Sequence, residues 1–230
     1  ISHLSDSLEL RKLALIGTRY SASYITSVPR YKTQDLSIDL QLTYGVRVLD
    51  CAIWSSSNVF YLYKWSKYLM TFDEFLRPIY SFLTSNPREF VIVLIHEEFK
   101  PGSDVTKSNC DIVRFYRSLS NGHRIVTNWS LDDNIGQHRG KILLAGLDSS
   151  FDHCTLSIPN NGLVQNTETL VDSTSKLEDK WIDIQKFHDK SYYKDSGHCF
   201  VNFMADKADT NTWNMAVKGF ATTRNGCEAP

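Results

Sequence analysis

The segment Leu13–Ser21 constrains this chain most. Leu13, Ala14, Leu15 and Ile16 run into Gly17 and then into a polar tip, Thr18 to Ser21. A short apolar run bounded by a turn signal reads as a buried parallel strand that ends at a surface rim. In an α/β barrel the chemistry sits at such strand ends, on the C-terminal face. Arg19 and Tyr20 therefore stand where a functional residue is expected.

The rest of the chain alternates between two periods. Further candidate strands are Val46–Cys51, Asn58–Tyr63, Phe90–Ile95, a weak one near Ile125, Lys141–Ala145, a weak Gly162–Gln165, and Cys199–Phe203. Thr33–Gly45 reads as a helix, with Thr33 as N-cap, Leu36, Leu40 and Tyr44 on one face, and Gly45 as its stop. Thr71 to Glu74 has the form of a capping box, followed by the apolar stripe Phe75, Ile79, Phe82 and Leu83. Pro78 inside that helix is expected to kink it. Asp104–Leu119 is expected to turn Ile112, Phe115, Tyr116 and Leu119 inward, Ser173–Lys190 to form a polar helix, and Trp213–Val217 a short final one. Residues 1–12 read as a polar cap, Ser21–Lys32 as a loop or short helix, and Ser150–Asn161 as a loop. Strands alternating with helices imply a mostly parallel sheet. Eight candidate strands point to a TIM-type (β/α) barrel, closed or distorted, as a single domain over residues 1–230.

Composition narrows the function classes. A chain of 230 residues with 42% hydrophobic residues can build a full core, and a formal net charge of −1 argues against nucleic-acid binding driven by bulk charge. No run approaches the ~18 apolar residues of a membrane span. The first residue is Ile1 rather than Met, as expected of a processed chain or of a piece cut from a longer one. Of five cysteines, Cys51 falls in a buried strand as a core thiol. Cys110, Cys154, Cys199 and Cys227 fall in or near loops or at strand starts, where disulfides among them are expected. No two cysteines form a CxxC pair, so no structural metal is expected. Asn128-Trp-Ser130 is a sequon for N-glycosylation. Together these features favour an oxidising, extracellular or cell-surface location.

Several spans resemble, in order, the X domain of the phosphatidylinositol-specific phospholipase C family. They are Leu13–Ser21, Gly45–Asp50, Thr71–Phe75 with its helix, Asn86–Leu94, Arg139–Leu144 and Val201–Phe203. The resemblance implies a TIM-type barrel with its site at the strand C-termini. It also implies two histidines, one a general base on the inositol 2-hydroxyl and one an acid on the leaving group. The first would follow Gly17-Thr18, where Arg19 stands; arginine stays protonated and is no base. That histidine's acidic or amide neighbour would fall at Tyr20. The second histidine would fall at Tyr63, or at Leu62 on a one-residue slip. The phosphate-binding arginine of bacterial-type members would fall at Ala52. The calcium set of eukaryotic-type members would keep Asp50, lose its next ligand at Ala52, and place His96, beside Glu97, on the fourth strand. That leaves too few oxygens for calcium, so no cofactor is expected.

The expected function is a catalytically inactive member of this fold, secreted or on a cell surface. It would bind a protein, a glycan or an anionic headgroup through Arg19, Asp50, Tyr63, Lys64, His96 and Glu97. In one version of the mouth, Arg19 pairs with Asp50 or Glu97 and plugs the site. In another, Arg19, Lys64 and Lys67 join the aromatic run Tyr61 to Tyr68 in an anion-binding rim, which could also touch a membrane or a protein. The alternative is an active phosphodiesterase that uses His96, Glu97 and Asp50, with or without a metal.

Overall fold

The computed structural model describes residues 1–165, 174–193 and 198–203. After a lead-in turn the chain forms β1 (Gly17–Thr18), two 3-10 turns (Ser21–Ile25 and Pro29–Tyr31), α1 (Ile38–Thr43) and β2 (Val48–Ser56). A hairpin follows, β3 (Val59–Lys64) and β4 (Lys67–Thr71), then α2 (Phe72–Ser85), β5 (Val91–Glu97) and α3 (Asn109–Ser118). The second half holds β6 (Ile125–Val126), β7 (Ile142–Gly146), β8 (Leu156–Ser157), α4 (Ile158–Asn161), β9 (Gly162–Gln165), α5 (Thr174–Tyr193) and β10 (Cys199–Asn202).

Among the described residues, eight strands share one mixed sheet, and β9 and β10 form a separate parallel pair. β2 is the hub. It pairs in parallel with β5 along most of its length, with β1 at its start, and antiparallel with β3 at its end. β5 leads to β7, which is flanked by β6 at its start and β8 at its end. The expected α/β barrel is therefore present in a distorted, open form. β10 returns to the start of the sheet through side chains. Cys199 and Val201 pack on the inner core with Leu13 and Leu15, and the Phe203 ring lies 4.7 Å from the Arg19 guanidinium.

Strand alternation sorts the buried residues into two cores. Leu49, Cys51 and Ile53 of β2 and Val91, Val93 and Ile95 of β5 face the helices, against Phe75, Ile79, Ile112 and Tyr116. On the other face Leu94, Leu143 and Ala145 pack with Leu10, Trp129, Ile135 and Leu156. The Trp129 indole N–H donates to the Leu144 carbonyl at 2.7 Å, so this ring fills the barrel interior without stranding its donor.

Several sequence expectations need correction. Only Gly17 and Thr18 of the first segment pair as strand, and Ile16 is 70% exposed. The reason is that, among the described residues, β1 has a hydrogen-bonded neighbour on one edge only, β2. Helix α1 starts after Ser37, not Thr33; the Thr33 hydroxyl donates to the Arg19 carbonyl at 3.0 Å instead. Its buried residues are Ile38, Gln41 and Leu42, while Leu36, Leu40 and Tyr44 face outward. The segment Asn58–Tyr63 is the return arm of a hairpin. Ser57 and Asn58 both have positive φ, 49° and 60°, as a two-residue turn between twisted strands requires. β4 has no counterpart in the sequence reading. In α3 the inward residues are Ile112, Val113 and Tyr116, whereas Phe115 and Leu119 are exposed. The lead-in buries Leu10, and the span 150–161 contains β8 and α4. The segment Trp213–Val217 lies outside the described residues.

Other expectations hold. Thr71 and Glu74 form the capping box, with Glu74 N–H to Thr71 Oγ1 at 3.2 Å and Thr71 N–H to Glu74 Oε2 at 2.7 Å. α2 buries Phe75, Ile79 and Leu83, with Phe82 half-buried; where a kink at Pro78 was expected, the helix runs unbroken from Phe72 to Ser85. Cys110 and Cys154 are joined by a disulfide and Cys51 is a buried thiol, but Cys199, expected among the disulfide candidates, is a free, half-buried thiol. Cys227 lies outside the described residues.

The disulfide ties the first turn of α3 to the turn before β8, across a sequence separation of 44 residues. Closing a loop of this length restricts the unfolded chain, and losing the link typically destabilises a domain by about 2–4 kcal/mol. A Cys110→Ala/Cys154→Ala variant is expected to show that loss in urea unfolding while keeping its far-UV spectrum. An unchanged midpoint would mean that side-chain packing alone holds α3 in place.

Candidate functional site

The mouth is built on Asp50, the third residue of β2. Its side chain is almost wholly buried, at 2% exposure for the residue, which is costly for a carboxylate without partners. Both oxygens are used. Oδ2 accepts from the Tyr20 backbone N–H at 2.8 Å, and Oδ1 meets His96 Nε2 at 3.1 Å. The Asp50 backbone N–H donates in turn to the Ser21 hydroxyl at 2.8 Å. Burial pushes the Asp50 carboxyl up, but the His96 charge and hydrogen bond, the Arg19 charge and the Tyr20 amide outweigh it and hold the carboxyl below its ordinary range.

His96 reaches Asp50 because β2 and β5 are in parallel register, with Asp50 opposite Leu94 and Ala52 opposite His96. Burial lowers the imidazole, but Asp50 and then Glu98 raise it further, so the net shift is upward. The pair therefore favours imidazolium–carboxylate.

Glu98 takes the role expected of Glu97. Side chains alternate along a strand, so Glu98 shares the His96 face and Glu97 turns to the other. Glu98 Oε2 accepts from the Tyr20 hydroxyl at 3.3 Å, and Oε1 accepts from the Trp65 backbone N–H at 2.6 Å. Glu97 Oε1 accepts from Asn109 Nδ2 at 2.6 Å, behind the sheet beside the disulfide. Asp50 and Glu97 therefore do not converge. Period-2 counting from His96 was the signal in the sequence that could have chosen Glu98.

Tyr20 and Trp65 both have left-handed backbones, with φ of 45° and 49°. Non-glycine residues adopt this region at an energetic cost and persist there only when their surroundings hold them. Here each amide is held by a buried or half-buried carboxylate, Tyr20 by Asp50 and Trp65 by Glu98. Lys64, 2% exposed, lies between the two rings, with Nζ 5.3 Å from the Tyr20 centroid and 4.7 Å from the Trp65 centroid. Arg19 lies over the Tyr20 ring at 5.4 Å and over Phe203. Burial and the Glu98 charge push the Tyr20 phenol far up, against the opposing Arg19 charge, so it stays neutral.

The sequence candidates thus divide. Arg19, Tyr20, Asp50, Lys64 and His96 converge at the mouth. Ala52 lines β2 without a polar group, and Tyr63 joins a separate ring cluster with Trp54, Tyr68 and Phe99. The hydrogen-bond partners of Asp50 are the Tyr20 amide and His96, and the charge of Arg19, expected to pair with Asp50 or Glu97, also acts on the Asp50 carboxylate. Asn128 is exposed in the turn after β6, so the sequon is accessible. Among the described residues no group of three His, Cys, Asp or Glu side chains could hold a metal ion, and no helix is long and apolar enough to cross a membrane.

Solved structures with the same architecture are bacterial phosphatidylinositol-specific phospholipases C. The H258Y mutant of the Staphylococcus aureus enzyme superposes with a TM-score of 0.80 at 20% identity, covering 94% of this chain and 81% of that one. The Listeria monocytogenes enzyme gives 0.71 at 22% identity, covering 94% and 82%. This chain has the phosphatidylinositol-specific phospholipase C fold. No protein-family profile and no curated protein sequence matches it.

The Asp50–His96 pair makes stability depend on pH in a definite direction. A raised histidine contributes fully below its unfolded value, near ~6.5, and loses its contribution as pH rises through the folded value. A lowered carboxyl contributes above its unfolded value, near ~3.9, and loses its contribution as pH falls through the folded one. The pair is therefore expected to stabilise most between about pH 4 and pH 6.5. In urea unfolding, His96→Gln should flatten the decline on the alkaline side. Asp50→Ala, which leaves His96 without its partner, should destabilise by about 3–5 kcal/mol at pH 6. A parent protein whose stability is flat from pH 6 to pH 8 would contradict this pairing.

Proposed function

We propose that this chain is an extracellular pseudoenzyme on a phospholipase C barrel, a module that binds rather than cleaves. The observation that carries the reading is the self-satisfied mouth: both Asp50 oxygens are engaged, by the Tyr20 amide and by His96. Cleavage of an inositol phosphodiester with attack by the neighbouring hydroxyl needs a base on that hydroxyl and an acid on the leaving oxygen. A guanidinium such as that of Arg19 offers no lone pair to serve as a base, and the Tyr20 phenol stays neutral. His96 is favoured in its charged form and is a poor base while bonded to Asp50. The reading invokes no metal. Asp50 and Glu97 face opposite sides of the sheet, and the Ala52 side chain supplies no ligand, so the calcium set of the family does not fit these residues.

The Cys110–Cys154 disulfide supports an oxidising compartment, and the exposed Asn128 suits a glycosylated chain. The partner is a protein, a glycan or an anionic headgroup. Nucleic acid is disfavoured by the net charge of −1.

One observation favours a second reading. A histidine paired with a buried carboxylate at a barrel mouth is an acid–base arrangement, and release of the His96 proton would create a base. Phosphodiesterase turnover separates the two. The parent is expected to cleave neither phosphatidylinositol nor a soluble inositol phosphodiester above a buffer blank, with or without calcium. An Arg19→His variant places an imidazole at the mouth, and turnover by it would show that the pocket still admits the headgroup. Turnover by the parent, abolished in His96→Gln, would replace the pseudoenzyme reading with the second one.

A further inference from the structure

Five aromatic rings form a continuous surface on the hairpin side of the mouth. Trp54 of β2 pairs with Tyr61 of β3, and Tyr63 of β3 pairs with Tyr68 of β4, so these four side chains share one face. Phe99, two residues beyond β5, completes the group. Ring centroids lie 6.3 Å apart for Trp54–Tyr61, 5.7 Å for Trp54–Tyr63, 6.2 Å for Tyr61–Tyr68, 5.7 Å for Tyr63–Tyr68 and 5.9 Å for Tyr63–Phe99. Tyr68 and Phe99 are exposed, and the other three are half-buried. The surface is seated on rigid structure. A Cβ placed on Gly102 would lie 3.4 Å from the Trp54 indole, so the loop after β5 supports that ring closely.

The polar atoms of the cluster distinguish it from an apolar patch. The hydroxyls of Tyr61, Tyr63 and Tyr68 and the indole N–H of Trp54 have no hydrogen-bond partner among the described residues. We propose that this surface is a glycan-binding platform, whose ring faces stack on the C–H face of a pyranose while these four polar groups bond its hydroxyls. The chemistry selects this class of ligand. A sugar ring presents an apolar face and a hydroxyl rim on the scale of one or two aromatic side chains. An acyl chain would cover the rings but leave their donors and acceptors dry. A quaternary ammonium ion would approach between Lys67 and Lys100, both exposed and next in sequence to Tyr68 and Phe99, against their charge.

The proposal names the ligand class for the binding role argued above, and its failure is separable from failure of that role. The full chain is titrated with mannotriose, chitotriose and a hyaluronan tetrasaccharide, followed by calorimetry and tryptophan fluorescence. At least one saccharide is expected to bind saturably. Tyr68→Ala should weaken that binding about tenfold, and Tyr68→Phe, which keeps the ring, severalfold less. Tyr44→Ala, an exposed ring on α1, should bind as the parent does. Tyr68 is a surface residue, so these variants test the platform rather than folding. No saturable binding of any of the three at millimolar concentration, or equal binding by parent and Tyr68→Ala, overturns the proposal. Turnover of phosphatidylinositol with saccharide binding intact would overturn the pseudoenzyme reading and leave the platform standing.

Discussion

Asp50 is the constraint on which the mouth depends. A carboxylate buried this deeply must be surrounded by donors, or it would take up a proton or unfold its surroundings. The Tyr20 amide, His96 and the charge of Arg19 meet that demand. The same hydrogen bond holds Tyr20 in a left-handed conformation that its side chain would otherwise disfavour. Tyr20 in turn carries its ring to Lys64 and its hydroxyl to Glu98, and Glu98 fixes Trp65 in the same backbone region. Two carboxylates thus hold two strained aromatics around one buried lysine.

The fold depends on other residues. The helix-side core rests on alternate positions of β2 and β5 with α2 and α3, and the inner core on Leu94, Leu143, Ala145 and Trp129. None of these side chains belongs to the polar mouth. This separation is consistent with an architecture that matches the bacterial phospholipases at about one residue in five. The outward extension of β2 adds a second consequence. Its last residues lie beyond the pairing with β1, so the free edge above β1 is taken by β3. That hairpin carries Tyr61, Tyr63 and Tyr68 in a cluster beside the mouth and sets Lys64 against Tyr20.

Period and local capping made β2, β5, β7 and α2 legible in the sequence, because each is fixed mainly by its own residues. Phe90–Ile95 is an unbroken apolar run with both faces covered, and Thr71 and Glu74 satisfy each other within one turn. β1 and the hairpin were less legible because their form depends on partners distant in sequence. Gly17 and Thr18 pair only where β2 offers an edge, and the direction of β3 rests on the positive φ of Ser57 and Asn58, residues without the usual glycine signal. The helical face of α1 was inverted for a related reason. Leu36, Leu40 and Tyr44 are as well spaced as Ile38 and Leu42, and only the packing against α2 decides between them.

At the site, the sequence identified Arg19, Asp50, Lys64 and His96 but not their bonding. The pairing of Asp50 with His96 requires the β2–β5 register, which no local pattern encodes. Once that register is known, the rest follows by alternation: His96 and Glu98 face the mouth, and Glu97 faces Asn109. A shift of one residue in β5 would instead present Ile95 and Glu97 to Asp50, leaving the buried carboxylate without its imidazole partner. The ionic pair therefore does more than occupy the mouth. It penalises the wrong register of the central strand pair, and so links the chemistry of the strand ends to the pairing that builds the barrel.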